Sequence, residues 1–408
     1  MNLYKKWNDI SLVLRIICGL ILGAALGRLV PGQTWIGVFG DLFVGALKAV
    51  APVLVLVLVC SSLANARGGQ AKKFRTVIIL YLICTMSAAV LSVIMNFIFK
   101  VTIPLDGVAA AEDMTAPEGM SEVISNLLHN VVANPIDALL NANYLGILFW
   151  AVILGLALKV ASPGTKSLLS DLADGISKIV RWIISFAPFG IMGLVFNAVS
   201  SNGPEIFVDY GQLVLLLVVI MLLVAFALNP LIVGIVMHRN PYPLIWRCIR
   251  TSGVTAFFTR SSAANIPVNM ELCEDLGLDE DVYSVSIPLG ATINMNGAAV
   301  TISTFTLVAA FTTGVQVTLP LAIMLSIIAA LAACGASGVA GGSLLLIPLG
   351  CSLFGIPVDI AMQMVGVGFI VGVIQDSMET ALNSSGDAIF TATAEFRQWK
   401  REGKELPL

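Results

Sequence analysis

Residues 366–389, GVGFIVGVIQDSMETALNSSGDAI, set three carboxylates into a stretch otherwise apolar enough to cross a bilayer. Asp376, Glu379 and Asp387 stand there with no Lys or Arg anywhere from Ser261 to Phe396. A charged side chain at membrane depth is costly, so acids in such a run mark a polar site enclosed by protein. With helical spacing, Asp376, Glu379, Thr380, Asn383 and Asp387 recur at i, i+3, i+4, i+7 and i+11, along one face. That face suits a polar ligand.

The rest of the chain supplies the enclosure. Its 408 residues are 58% hydrophobic and 12% charged, with a mean hydropathy of +0.94; soluble domains are roughly 45–50% apolar and about 25% charged. Only lipid solvates that excess, so the fold class is an all-α polytopic membrane protein. Apolar runs of spanning length occur at 12–30, 41–63, 76–99, 144–160, 176–199 and 212–237 and read as six simple spans. The hydrophilic connection 104–143 is expected to hold short helices near 121–129.

Net charge is -3, which leaves no basic excess and no nucleic-acid partner. The seven cysteines are scattered, mostly within apolar runs, and form no CxxC pair, so they read as buried small hydrophobes. The first apolar run lacks a small-residue cleavage site and is interrupted by Arg15, which reads as a retained span. Lys5 and Lys6 precede it; Arg67, Lys72, Lys73 and Arg75 follow the second run. Lys159, Lys166, Lys178 and Arg181 follow the fourth, and His238, Arg239, Arg247 and Arg250 the sixth. Residues 101–143 and 200–211 contain no Lys or Arg. Cytoplasmic loops retain positive charge, so both termini are expected in the cytoplasm.

From about Arg250 the apolar runs are broken by TRSSAANIP (259–267), NMNG (294–297), CGASGVAGGS (334–343) and DSMETALNSSGD (376–387). Unpaired backbone at membrane depth costs several kcal/mol per group unless protein or enclosed water satisfies it. Broken helices and re-entrant hairpins around a midplane site are the mark of secondary transporters. The order is interrupted hairpin, broken helix, interrupted hairpin, acidic helix, which suggests an inverted repeat. The first tip would enter from the cytoplasm and the second from outside. A hard cation such as sodium wants several oxygens, which Asp387, Asn383 and Asn294 can supply. Asn294 and Asn296 are also consistent with a satisfied helix kink, and the small-residue runs with close helix contacts.

Other classes fit poorly. His129 and His238 lie outside the polar clusters and HExxH is absent. Asp376 and Asp387 are about 16 Å apart by helical rise, too far to share a proton. No enzyme is indicated. No GxxxxGK[ST] loop appears, so an ion gradient rather than ATP must drive uphill transport. Two tips flanking one site suit alternating access better than a channel.

The ordered motifs TRSSAANIP, SIPLGATINMNGAA, GASGVAGGS and QDSMETALNSSGD, with GDLFVGALKAVAPVLVLVLV at 40–59, resemble the dicarboxylate/amino acid:cation symporter family, of glutamate-transporter-like fold. Among its members the chain looks most like those that carry serine and threonine with sodium. The resemblance implies eight transmembrane helices plus two re-entrant hairpins, a homotrimer in the bacterial cytoplasmic membrane, and no cofactor beyond sodium as coupling ion. It implies a scaffold over 1–245, with span three (76–99) moving with a transport domain over 246–396, and a cytoplasmic tail over 397–408.

It further implies that Asp376 binds the substrate amino group and that Asn383, Ser261 and Ser262 hold its carboxylate. Ala336, Gly338, Val339, Ala340 and Gly341 would close over it. One sodium would sit among Gly290, Asn294, Asn383 and Asp387, and a second near Thr292 and Met295 with carbonyls around Ala333, Cys334 and Ala336. Glu379 stands where acidic-substrate members carry an arginine. A carboxylate facing a carboxylate at low dielectric is repelled, so L-serine and L-threonine fit, with Glu379 or Thr380 accepting the hydroxyl. Other small neutral amino acids remain an alternative; dicarboxylates are disfavoured. Arg260 is either the counter-ion of Glu379 or a group facing cytoplasmic water. Tyr81, Thr85 and Asn296 match a possible third ion site, with Cys84 where a threonine is usual and Asn296 where an aspartate is.

Overall fold

The computed structural model describes residues 10–65, 71–105, 132–336, 341–404 and 406–407. The described residues form helices and no strand. The short helices expected near 121–129, and Gly338, Val339 and Ala340, lie outside them. In chain order the first helices are α1 (Leu12–Leu29), α2 (Val38–Asn65), α3 (Ala71–Ile98), α4 (Pro135–Leu140), α5 (Tyr144–Ala157), α6 (Pro163–Ser185) and α7 (Ala187–Asn202). Then come α8 (Ile206–Leu223), α9 (Asn229–Met237), α10 (Tyr242–Cys248), α11 (Val254–Thr259) and α12 (Ile266–Asp275). The last are α13 (Glu280–Ile293), α14 (Asn296–Thr312), α15 (Leu319–Ala333), α16 (Ile347–Leu353) and α17 (Val358–Arg401).

Local chemistry explains the starts and breaks. The Ser11 hydroxyl accepts from the Leu14 N–H at 3.3 Å and starts α1, as Asp279 caps α13 by accepting from Asp281 N–H at 3.0 Å. The run 176–199, expected to be one span, is two helices bent by 55° at Phe186. Pro188 explains the correction: without a backbone N–H it starts a helix readily but does not continue one. A π-helical turn, Val224–Leu228, joins α8 to α9 in one span, Ile206–Met237. Among the described residues six helices are long and apolar enough to cross a membrane, or seven if the bent pair counts.

The helices sort into two packed groups. In the first, α1, α2, α5, α6 and α7 pack on one another. A Cβ on Gly19 would fall 2.1 Å from the Pro188 carbonyl oxygen, and on Gly23 2.4 Å from that of Met192. Lipid is as apolar as Leu, so such backbone approach through small residues is what pairs helices in a membrane. The second group centres on α14, whose residues from Asn296 to Ala310 are all buried. An 18-residue window of Glu280–Thr312 is 89% buried, against 22% for Leu12–Leu29: one faces protein all round, the other leaves most of its surface uncovered by this chain.

Span three packs on α14, α15 and α17. Span six, expected among 1–245 with the scaffold, instead packs chiefly on α17 and α14, burying Leu213, Leu217 and Ile220. The groups also meet through Lys48 of α2, whose Nζ lies 2.5 Å from Asp359 Oδ1 at the start of α17. Residues 397–401, expected in a tail, continue α17. Cys18 is exposed, unlike the buried cysteines expected.

Gly23→Val should destabilise the α1–α7 contact by about 1–3 kcal/mol, seen as a lower melting midpoint of detergent-purified protein. Gly211→Ala in α8, where a Cβ meets nothing within 4 Å, should leave the midpoint unchanged or slightly raised, because alanine favours helix.

Candidate functional site

Asp376, Glu379, Thr380, Asn383 and Asp387 are all buried on α17, which runs unbroken through them. Arg260 ends α11 in a left-handed conformation, φ 52°. Its Nε donates to Asp376 Oδ2 at 2.6 Å and its Nη2 to the Gly372 carbonyl at 3.3 Å. The Gly341 N–H donates to the other Asp376 oxygen at 3.2 Å. Asp376 therefore ties the tip of the first hairpin to the second hairpin.

Glu379 does not meet Arg260, correcting the pairing considered from sequence. The left-handed turn aims the guanidinium one helical turn earlier on α17. Glu379 Oε2 instead accepts from Thr301 Oγ1 at 2.7 Å, Ser343 Oγ at 2.8 Å and Gln375 Nε2 at 2.5 Å. Thr301 and Ser343 went unremarked in the sequence; polar positions inside the apolar helix 296–312 and just past the glycines of the second cluster were the available signal. Thr380 Oγ1 donates to the Asp376 carbonyl at 2.7 Å, a bond along its own helix.

Asn383 is committed to the break between α13 and α14. Its Oδ1 accepts from the Gly297 N–H at 2.7 Å and its Nδ2 donates to Met295 Sδ at 3.3 Å. Ser261 Oγ accepts from the Ala264 N–H at 3.2 Å, and Ser262 is buried. No direct bond joins either serine to Asn383 among the described residues. What anchors this hairpin to α17 is a pair of asparagines that sequence reasoning missed: Asn265 Nδ2 donates to Ser252 Oγ at 2.9 Å and Ser384 Oγ at 2.8 Å, and Asn269 Nδ2 to the Ser384 carbonyl at 3.0 Å.

The first candidate cation position comes together around the break. Asn294 Nδ2 donates to Asp387 Oδ1 at 2.9 Å and to the Asn383 carbonyl at 3.3 Å. A Cβ on Gly290 would lie 2.6 Å from Asp387 Oδ1, so glycine is what lets α13 touch this carboxylate. Asp387 Oδ2 and Asn294 Oδ1 are buried with no protein partner. Orphaned oxygens beside helix-end carbonyls are the donor set a hard cation takes.

At the second position, Cys334 Sγ donates to the Ile293 carbonyl at 3.5 Å, bringing the second hairpin to the break. Thr292 Oγ1 is engaged with the Leu289 carbonyl at 2.8 Å. At the third, Tyr81 Oη donates to the carbonyls of Ser286 and Asp387, both at 3.2 Å, and Thr85 Oγ1 is buried without a partner. Cys84 Sγ links Asn229 Oδ1 and Asn296 Nδ2, each at 3.1 Å. Asn229, within the sixth apolar run, was also missed; the Asn-Pro pair inside that run was its signal.

A cavity of about 740 Å³ lies apart from all this, lined by Asp279, Glu395, Arg397 and Trp399 at the C-terminal end of α17. The convergence of side chains rather than that cavity defines the site. It gathers a carboxylate paired with a guanidinium, a second carboxylate held by neutral donors, and, at Asp387 and Asn294, buried oxygens without protein partners.

Comparison with known proteins identifies the family. A family model described as the sodium:dicarboxylate symporter family matches residues 12–395. The chain is similar to a serine/threonine transporter SstT of Bifidobacterium adolescentis, 58% identical over 402 residues, covering 98% of this chain and 93% of that protein. It is similar to those of Streptococcus thermophilus (56% over 397 residues; 97% and 98%) and Streptococcus agalactiae (57% over 391; 96% and 97%).

The Arg260 and Asp376 side chains are 13% and 4% exposed, so Arg260→Ala leaves a buried charge short of its partner and should cost about 3–5 kcal/mol. Arg260→Ala/Asp376→Asn should recover much of that loss. Thermal unfolding of the two purified variants checks both.

Proposed function

Because the chain belongs to the sodium:dicarboxylate symporter family, we propose that it imports L-serine and L-threonine with sodium across the bacterial cytoplasmic membrane by an elevator-type alternating-access movement. It is a membrane transport protein and not an enzyme. The observation that carries the substrate reading is Glu379, a buried carboxylate surrounded by neutral donors. Arg260, the cation that an acidic side chain would need, is engaged by Asp376 instead. An aspartate or dicarboxylate would set like charges together at low dielectric. Other small neutral amino acids are the alternative, dicarboxylates a poorer one. The serine/threonine transporters to which the chain is similar support the first reading.

In this reading Asp376 takes the substrate ammonium group. Ser261, Ser262 and Asn383 hold the carboxylate, with 336–341 closing over it. Sodium binds at Asp387 and Asn294 with the carbonyls of Gly290 and Asn383, and a second ion near Thr292, Met295 and the carbonyls of 333–336. Cation and substrate positions share α17 and the break, so filling one orders the other.

We count eight spans as α1, α2, α3, α5, α6 with α7, α8 with α9, α13 with α14, and α17. The two hairpins are α11 with α12 and α15 with α16. The moving body comprises 246–396 with spans three and six, and a homotrimeric scaffold holds the rest. Charge placement puts both termini inside and the starts of α2 and α17 outside. Yet Asp359 meets Lys48, ten residues past Val38 and roughly 15 Å along α2. That offset supports a body able to travel toward the cytoplasm.

The test is uptake of labelled L-serine into proteoliposomes with and without an inward sodium gradient. The expected result is sodium-dependent uptake blocked by threonine and not by aspartate; blockade by aspartate overturns the substrate reading. Asp376→Ala should abolish uptake, and Asp387→Asn should raise the sodium concentration needed for half-maximal rate.

A further inference from the structure

Resting on the reading of Glu379 as the group that meets the substrate side chain, we propose that Thr301, Ser343 and Gln375 are positioning residues for selectivity. They clamp one oxygen of Glu379 so that the other is presented to a substrate hydroxyl. The three donors come from different elements: Thr301 from α14, Ser343 from the segment that follows the second hairpin's tip, and Gln375 from α17 itself. All converge on Oε2, at 2.7, 2.8 and 2.5 Å. Gln375 Nε2 also donates to Thr301 Oγ1 at 2.8 Å, so the clamp is braced internally. Thr301, Ser343 and Gln375 are each no more than 1% exposed.

A carboxylate has about two lone-pair positions per oxygen, so three donors fill Oε2. No described donor meets Oε1. A free glutamate samples many rotamers, and fixing one at the moment of binding costs entropy. The clamp settles the rotamer beforehand, which makes Oε1 a prearranged acceptor. A buried acceptor built for a hydroxyl discriminates against a ligand lacking it, because the acceptor is then left unpaired. Serine and threonine satisfy Oε1; alanine does not. Ser343 lies two residues past Gly341, whose N–H holds Asp376. The clamp is therefore complete only with this part of the second hairpin seated on α17.

The experiment measures, for the full chain in sodium-energised proteoliposomes, the KM for labelled serine and the Ki for alanine as competitor. Thr301→Val and Ser343→Ala should each raise the serine KM about tenfold, the worth of one hydrogen bond to a charged group, while the alanine Ki moves far less. Thr301→Ser, which restores the hydroxyl, should keep the wild-type ratio of the two constants. In a Glu379→Gln background, Thr301→Val should change that ratio no further, because the two residues act as a unit. A ratio unmoved by both clamp variants, or two constants rising in parallel as a packing defect would give, overturns the clamp. If Glu379→Gln itself leaves the ratio unmoved, the reading of Glu379 fails and the clamp with it. If Glu379→Gln shifts the ratio and the clamp variants do not, the clamp fails alone.

Discussion

A carboxylate cannot be buried among spanning helices unless donors surround it, and α17 carries three along one face. Each is met by different neighbours. Asp376 is answered by a guanidinium and a backbone N–H from the two hairpin regions, Glu379 by hydroxyls and an amide, and Asp387 by Asn294 at the helix break. Those requirements bring α11, α13, α14 and the end of the second hairpin against a single helix. The second group of helices is organised by polar satisfaction as much as by apolar packing, and its central helix is buried all round because it lies between such demands.

The first group has no such acids to answer and coheres differently. Gly19, Gly23 and Gly27 let α1 approach the backbone of α7 until no Cβ would fit. Apolar area drives little in lipid, so contact distance matters instead. One group is thus held by close backbone packing, with its first helix largely uncovered by the rest of the chain. The other is held by a buried polar network. Their different cohesion suits two bodies that slide past each other while each stays intact, as the proposed movement requires.

The fold class and the acidic face were legible because both follow from local rules: length of apolar runs, and helical periodicity. The breaks at 259–267, 294–297 and 334–343 were legible because polar, small residues in an apolar run need a reason. Directions in space were not legible. Arg260 stood in the sequence as a cation near the acids, but only its left-handed φ at the end of α11 decides that it reaches Asp376 rather than Glu379. Thr301 left only a weak signal because a threonine in an apolar helix usually bonds its own backbone, and Ser343 only its place just past a run of glycines. Phe186 hid a bend, since apolar composition continues across it. Span six was grouped by its place in the chain, whereas its buried face decides its neighbours.

Charge placement also bears on ion coupling. At the third candidate position, Cys84 Sγ bridges Asn229 Oδ1 and Asn296 Nδ2 through neutral hydrogen bonds, while Asn229 Nδ2 and Thr85 Oγ1 are buried without protein partners. No carboxylate takes part in that chain. A cation brought there would lose its hydration with no opposite charge in contact to offset the loss, a heavy cost in a low-dielectric interior. Around Asp387 the opposite holds: a buried carboxylate oxygen and an asparagine oxygen lack protein partners beside the carbonyls of a broken helix. A cation there relieves a cost the fold already bears. In the proposed reading the same α17 face holds a carboxylate for the ion, one for the ammonium group and one for the side chain, and their separation along the helix would keep the three tasks from competing.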